Sequence, residues 1–141
     1  MPNAYGVYNE GTIVIEYWTG EMDFEEVLNH QIQQCKDLRI HKISSEIIDL
    51  RDAIGNLSDL EASSITNALN PDSPEKRMAL IINRSDWALA NQYSQSAWRK
   101  KVEVVTFYSV DAACAWLELD REHIEFKLKQ LKKGLMVENC L

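Results

Sequence analysis

The residues of this sequence that could act as bases, nucleophiles or metal ligands are few: His30, His41, His123, Cys35, Cys114 and Cys140. The histidines fall on three different predicted elements, without the spacing of an H-E-x-x-H motif or the partners of a catalytic triad. The cysteines are too widely spaced for a zinc site or a redox pair, and Cys35 and Cys114 fall on apolar helix faces. We therefore expect solvated histidines and a non-enzymatic protein with neither a metal nor a cofactor.

A second group of residues follows the predicted parallel strands, at the edge where open α/β sheets bind their ligands. Its members are Asp49, Arg51, Asp52, Asn83, Ser85, Trp87 and Tyr108. One interpretation is that these side chains form a polar rim over a ligand-binding pocket. The other is that they cap helices and form ion pairs in loops, as Ser85 would do at the start of the third helix.

Two tryptophans stand on one side of the predicted third helix, because Trp87 and Trp98 are separated by about three helical turns. They flank the core face of that helix, which is formed by Leu89, Ala90, Tyr93 and Ala97. Tryptophan is enriched at interfaces, so the pair could form the wall of an apolar ligand site or a partner surface. The alternative is that both rings cover the rim of the core.

The segment after residue 120 combines an apolar stripe with basic residues. The stripe consists of Ile124, Leu128, Leu131 and Leu135, and the basic residues include Lys127, Lys129, Lys132 and Lys133. Such a helix can bury its stripe against a second subunit, lie on an anionic membrane surface, or pack on its own domain. We expect a homodimer, and the candidate partner or membrane surface comprises Trp98, Ile124, Leu128, Leu131, Lys132 and Lys133.

The elements that would position these residues alternate between strands and helices. Strands are predicted at Tyr5–Tyr8, Thr12–Trp18, Ile47–Leu50, Met78–Ile82 and Val102–Phe107, with a hairpin turn at Asn9-Glu10-Gly11. Helices are predicted to begin after the N-caps Asp23, Ser58, Ser85 and Ser109. The order ββαβαβαβα predicts an α/β fold with a mostly parallel mixed sheet, helices packed on it, and an antiparallel edge.

Two of the predicted helices carry further expectations. The first should bury an apolar stripe of Phe24, Val27, Leu28, Ile32, Cys35 and Leu38. The second begins with the capping box Ser58-x-x-Glu61 but has few apolar residues, and elements with few apolar contacts open at low free-energy cost. We therefore hypothesise that residues 54–75 form a mobile lid over the carboxyl edge of the sheet. The last helix is either very long or broken near Leu119-Asp120.

The composition limits the class of protein. The chain has 141 residues and a net charge of −7, which fits one domain and argues against nucleic-acid binding. We assign residues 1–119 to the domain and residues 120–141 to an amphipathic helical extension of it. The first ten residues lack the basic region and apolar core that are typical of a signal peptide, and the sequence has no apolar run long enough to span a membrane. We expect a cytoplasmic protein, with peripheral contact to the inner face of the membrane as a further option.

Three segments resemble the SpoIIAA-like branch of the STAS superfamily: Ile47-Ile48-Asp49-Leu50-Arg51-Asp52, Arg77-Met-Ala-Leu-Ile-Ile82 and Ala113-Cys-Ala-Trp-Leu117. The resemblance covers residues 5–119 and implies the STAS-like fold. Sporulation proteins of this superfamily are anti-sigma antagonists with a phosphorylated serine in a D-x-S-G motif at the start of the second helix. Ser58 stands at that position here, without the flanking Asp and Gly. The branch also resembles lipid carriers of the CRAL-TRIO type.

These observations lead to two hypotheses about function. The first is a STAS-like binding or regulatory module that acts through protein–protein contacts. The alternative is a carrier or sensor of a small apolar ligand or lipid, with peripheral membrane association. A lipid carrier needs an apolar cavity of a few hundred Å³, whereas a filled core with an exposed apolar patch favours a protein partner.

Overall fold

The computed structural model describes residues 3–68 and 76–139. Its strands are β1 (Asn3–Tyr8), β2 (Ile13–Glu21), β3 (Ser45–Ile54), β4 (Arg77–Ile81) and β5 (Glu103–Phe107). Its helices are α1 (Phe24–Cys35), α2 (Asp59–Ile65), α3 (Trp87–Arg99), α4 (Val110–Leu117) and α5 (Arg121–Asn139). Short 3₁₀ turns follow α2 at Thr66–Ala68 and precede α3 at Arg84–Asp86.

The five strands form one sheet in the order β1-β2-β3-β4-β5, in which β1 is antiparallel and all other neighbours are parallel. Right-handed crossovers that all step in one direction place their helices on the same face of a sheet. Here α1, α2 and α3 cover one face, which we call the front face, while α4 and α5 cover the back face. The predicted fold class and order of elements are confirmed.

Alternation along the strands divides the side chains between the two faces. Ile13, Ile15 and Tyr17 of β2 point to the back face and contribute to the core under α4 and α5. Trp18 of β2 and Ile48 of β3 belong to the front core. The predicted hairpin turn is also present, since Asn9, Glu10 and Gly11 all have positive φ and a Cβ at Gly11 would collide with the carbonyl oxygen of Arg39.

The predicted helix starts are confirmed in part. Ser58 and Ser109 cap α2 and α4, because their hydroxyl oxygens accept hydrogen bonds from the amides of Glu61 and Ala112. Asp23 precedes α1 but its side chain makes no cap hydrogen bond. The prediction for Ser85 is wrong: Ser85 lies inside the 3₁₀ turn, which moves the N-cap of α3 to Asp86.

The buried side of α1 differs from the predicted apolar stripe. Its buried residues are His30, Gln31 and Gln34, whereas Ile32 and Cys35 are exposed. The reason lies in the sheet, which presents the buried carboxylates Glu16 and Glu46 beneath this helix. Polar side chains that can hydrogen-bond these carboxylates face the sheet, since a buried charge without partners costs far more than an exposed aliphatic side chain.

The C-terminal stripe packs on the chain's own sheet. Helix α4 ends at Glu118, which adopts the left-handed conformation, and α5 then lies against β1 and β2. Ile124 is 0% exposed and Leu128 3% exposed, and Leu131 packs against the same cluster. Placing these three residues on a partner or membrane surface was therefore wrong, because the back face of β1 and β2 needs their cover. None of the described helices is long and apolar enough to cross a bilayer.

Candidate functional site

A cavity of about 90 Å³ lies between the front face of the sheet and the helices α1, α2 and α3. Its walls are mainly apolar: Trp18, Ile48 and Leu80 from the sheet, Ala62 and Ile65 from α2, and Leu89, Ala90 and Tyr93 from α3. The space exists because the small side chains Ala62 and Ala90 both line it, and because Gly55 adds no side chain. Apolar cavities with a few polar groups are the usual form of small-molecule sites.

Glu16 and His30 form a buried ion pair in the wall of this cavity. His30 Nε2 lies 2.8 Å from Glu16 Oε1, and the same oxygen accepts a hydrogen bond from Trp18 Nε1. The His30 ring meets the rings of Tyr5 and Trp18 edge to face. Both residues of the pair are less than one-tenth exposed. The prediction of a solvated His30 is therefore wrong.

A second buried carboxylate continues this cluster away from the cavity. Glu46 is fully buried, and its Oε2 lies 2.8 Å from Lys76 Nζ. Gln34 Nε2 donates to Glu46 Oε1 at 2.8 Å and, more weakly, to Glu16 Oε2 at 3.4 Å. Gln34 therefore links the two carboxylates, and we call Glu16, His30, Gln34, Glu46 and Lys76 the buried charge cluster.

The pKa values of this cluster follow from burial and mutual charge. Burial opposes the charged forms of Glu16 and His30, but their hydrogen bond and attraction outweigh it, so the pKa of Glu16 is lowered and that of His30 is raised. Burial raises the pKa of Glu46, and the charge of Glu16 adds to this effect. Burial also opposes the charge of Lys76, yet attraction to Glu46 raises its pKa. Both shifts favour the charged form of the Glu16–His30 pair.

The residues predicted at the carboxyl edge form a different cluster. Asp49 is fully buried on the back face, and Arg51 binds it through Nε and Nη2, each at 2.9 Å. Lys132 of α5 lies 3.8 Å from both Asp49 and Asp52. Asn83 Nδ2 donates to the carbonyl oxygen of Arg51 at 2.6 Å. These four predicted ligand residues and Lys132 are thus brought together, but they bind one another.

Tyr17 completes this edge cluster. Its hydroxyl donates to Asp52 Oδ2 at 2.7 Å, and the ammonium of Lys132 lies over its ring at 5.1 Å. Burial and the hydrogen bond to Asp52 raise the pKa of Tyr17 to about 12. This arrangement holds α5 to the ends of β2 and β3, which is a structural role.

The remaining predicted residues are spread over the surface. Ser85, Trp87, Tyr108 and Trp98 are all exposed, and the guanidinium of Arg84 covers the ring of Tyr108 at 5.0 Å. Trp87 does not line the cavity, although its neighbour Asp86 does. Lys133 is exposed on α5. Within residues 3–68 and 76–139, no three His, Cys, Asp or Glu side chains are placed to hold a metal ion.

Comparisons with known proteins agree with this architecture. No family model and no curated protein matches the sequence. Among solved structures, the chain is similar to an uncharacterized DUF3478-family protein with a SpoIIAA-like fold from Shewanella loihica PV-4, with a TM-score of 0.51. The two are 21% identical, and the match covers 82% of this chain and 93% of that one. This chain has a SpoIIAA-like fold. The resemblance predicted from the sequence is confirmed at the level of the fold.

Within the SpoIIAA-like fold, Ser58 occupies the start of α2 as predicted. It forms a complete capping box, since its hydroxyl accepts from the Glu61 amide at 3.1 Å and the Glu61 carboxylate accepts from the Ser58 amide at 2.9 Å. Ser58 is exposed, so its side chain is accessible to solvent. Its phosphorylation stays a prediction.

The buried charge cluster was missed by the sequence analysis, although a signal was present. Glu16 and Glu46 interrupt apolar strand segments at positions whose neighbours two residues along point into the front core. A carboxylate at such a position needs a buried partner. His30 and Gln34 are spaced by one helical turn on α1 and could have been identified as those partners.

Proposed function

We propose that this chain is a non-enzymatic, STAS-like binding or regulatory module whose ligand is a small, mainly apolar molecule held in the front-face cavity. The observation that carries the proposal is the cavity itself, which combines apolar walls with the buried Glu16–His30 pair. A well-packed domain rarely leaves such a space, because voids in a core reduce stability.

The size of the cavity favours a small ligand over a lipid. A volume of about 90 Å³ is of the order of one ring or a short branched alkyl group, and it falls short of the few hundred Å³ that we expect of a lipid carrier. A ligand that binds here would stabilise α1, α2 and α3 against the sheet through mass action. Binding could thereby be transmitted to any partner that recognises these helices.

Protein contacts are the second candidate function, and one observation favours them. Ile54 at the end of β3, Leu60 in the first turn of α2 and Trp87 at the start of α3 are at least half exposed. All three lie towards the carboxyl edge of the sheet, on elements that surround the cavity. Large exposed apolar side chains that occur together are typical of partner surfaces. Homodimer formation and peripheral membrane contact stay predictions without an observation of this kind.

The proposal is tested by methyl NMR with toluene as the probe. We expect toluene to shift the Ala62 methyl signal saturably in the wild-type protein. Ala90→Leu should abolish this shift, because three added carbon atoms fill the cavity. Ala88→Leu is the matched control on the exposed side of the same helix, and it should behave as wild type.

Two outcomes would contradict the proposal. One is the absence of any saturable shift at Ala62 in the wild type, and the other is an equal shift in the Ala90→Leu protein. If instead a cavity-filled variant keeps a native spectrum and loses toluene binding, the cavity is the binding site.

A further inference from the structure

The cavity has a carboxylate in its wall that is not paired with any described residue. Asp86 is the N-cap of α3 and lines the cavity, but its side chain makes no cap hydrogen bond. None of the hydrogen bonds or ion pairs within residues 3–68 and 76–139 involves the Asp86 carboxylate. The Glu16 carboxylate, in contrast, binds both His30 and Trp18.

The structure places the Asp86 carboxylate beside Gly55, where the chain leaves β3. A Cβ added at Gly55 would lie 3.1 Å from Asp86 Oδ1 and 3.1 Å from Leu89 Cδ2. Glycine therefore keeps free the space between the carboxylate and the apolar side chain of Leu89. A ligand here would meet a negative charge and an apolar wall side by side.

The charges of the cavity wall give it a preference among ligands. Of the described residues that line the cavity, Glu16 and Asp86 are acidic, His30 is the one that can be cationic, and none is Lys or Arg. His30 is already neutralised by Glu16, so Asp86 leaves the wall net negative. Apolar surroundings increase the electrostatic interaction of this negative charge with a ligand, compared with the same interaction in bulk water. The wall therefore disfavours a carboxylate ligand and favours a cationic one.

We propose that the cavity prefers a small apolar amine, with its hydrocarbon part between the sheet and α3 and its ammonium group bound to the Asp86 carboxylate. This inference rests on the proposed function, since it names the ligand class of the same cavity. A carboxylate at a helix N-terminus also interacts favourably with the helix dipole of α3. If Asp86 only stabilises the helix dipole, the cavity should show no selectivity between ligands. If Asp86 binds an ammonium group, the cavity should prefer an amine, so experiments can distinguish the two roles.

The test uses three probes of nearly equal shape: benzylamine, benzyl alcohol and benzoate. At neutral pH and low salt, we expect benzylamine to bind tightest and benzoate weakest in titrations followed at the Ala62 methyl signal. Asp86→Asn should weaken benzylamine about tenfold, which corresponds to about 1.4 kcal/mol, and should leave benzyl alcohol unchanged. The preference for benzylamine should also decrease as salt is added, because a partly exposed ion pair is screened.

Two further variants separate this inference from the proposed function. Asp111→Asn removes an acidic group from the first turn of α4 on the other side of the sheet, and it should bind all three probes as wild type does. Ala90→Leu should reduce the binding of all three probes. If benzyl alcohol binds in an Ala90-dependent way while benzylamine shows no preference, the amine inference fails and the proposed function stands. If none of the probes depends on Ala90, both fail.

Discussion

The two faces of the sheet are built differently. The back face is an aliphatic core in which Ile13, Ile15, Ile47 and Ile81 of the sheet pack with Ile124 of α5, and among the described residues its buried charge lies at the Asp49 edge. The front face holds a cavity and the buried charge cluster beneath α1. The difference separates a back face that is closed by apolar packing from a front face whose packing leaves a cavity beside buried charges.

Approximate energies support this division. A fully buried aliphatic side chain stabilises a protein by about 1.5–3 kcal/mol, so the closed back face makes a large favourable contribution. A buried ion pair contributes little net stability, because desolvation offsets most of the attraction between the charges. The buried charge cluster is therefore poorly explained as a stabilising device, whereas it can fix the orientation of α1 and set the chemistry of the cavity wall.

The largest loss of stability is expected from His30→Ala, which removes one partner of the buried ion pair on the front face. Removing the imidazole leaves the Glu16 carboxylate buried without its cation, and the loss of one partner of a buried pair costs about 3–5 kcal/mol. Urea denaturation measures this change in the free energy of unfolding. His41→Ala is the matched control, because His41 is exposed, and it should change stability by less than about 0.5 kcal/mol. Equal stability of the two variants would contradict the ion pair.

The Glu16–His30 pair also determines whether stability rises or falls with pH. The pKa of His30 is raised in the folded protein, so its contribution is complete below the unfolded value of about 6.5 and is lost as the pH rises through the folded pKa. The raised pKa of Glu46 acts in the same direction. Wild type and His41→Ala should therefore lose stability as the pH rises above about 6.5, and His30→Ala should lose less over that range. An unchanged pH slope in His30→Ala would show that His30 is not charged in the fold.

The fold was largely predictable because its strands depend on local patterns. Runs such as Ile13–Trp18 and Met78–Ile82 are apolar and β-branched over several residues, and strands alternating with helices restrict the topology strongly. The buried side of α1 was not predictable from its own periodicity. The helix has an apolar stripe, but the orientation was decided by the carboxylates Glu16 and Glu46 on strands distant in the sequence.

The candidate site was less accessible from the sequence than the fold. The carboxyl-edge residues were identified correctly as neighbours, but the sequence could not show that Asp49, Arg51 and Lys132 would satisfy one another. The cavity depends on where Ala62 and Ala90 stand relative to one another across two helices, and no local pattern records that distance. The volume of the cavity is determined only when the helices pack on the sheet, so it could not be predicted from the sequence of any one element.

The third prediction concerns the back face, where the expected loss of stability is nearly as large as for His30→Ala. Ile124→Ala should cost about 2–5 kcal/mol, because it opens a cavity in a closed core where Ile124 is 0% exposed. Phe126→Ala, two residues further along α5 on its exposed side, should cost little. Thermal and urea unfolding measure both changes. If Ile124→Ala is as mild as Phe126→Ala, α5 is not needed to close the back face, and the C-terminal stripe becomes available for a partner.

The smallest effects come from two helix caps, and they test whether the front face opens on its own. Ser58 caps α2 on the front face and Ser109 caps α4 on the back face, each through one hydrogen bond to a backbone amide. Replacing either serine with alanine should cost about 1 kcal/mol, which is roughly a fivefold change in an opening equilibrium. The rates of amide hydrogen exchange are compared between Ala62 and Ile65 in α2 and Met78–Ile81 in β4. The comparison shows which of the two elements each substitution destabilises.

A lid formed by α2 gives a specific exchange pattern for these variants. If α2 opens while the back face stays folded, Ser109→Ala should speed exchange in β4 about fivefold and leave exchange in α2 unchanged, because the cap of α4 remains intact in the locally open state. Ser58→Ala should speed exchange in both elements, since the open and the unfolded states have both lost that cap. If Ser109→Ala speeds α2 and β4 equally, or if α2 is as protected as β4 in the wild type, α2 opens only when the whole domain unfolds. The lid hypothesis would then be wrong, and a ligand would have to enter the cavity between helices that stay in place.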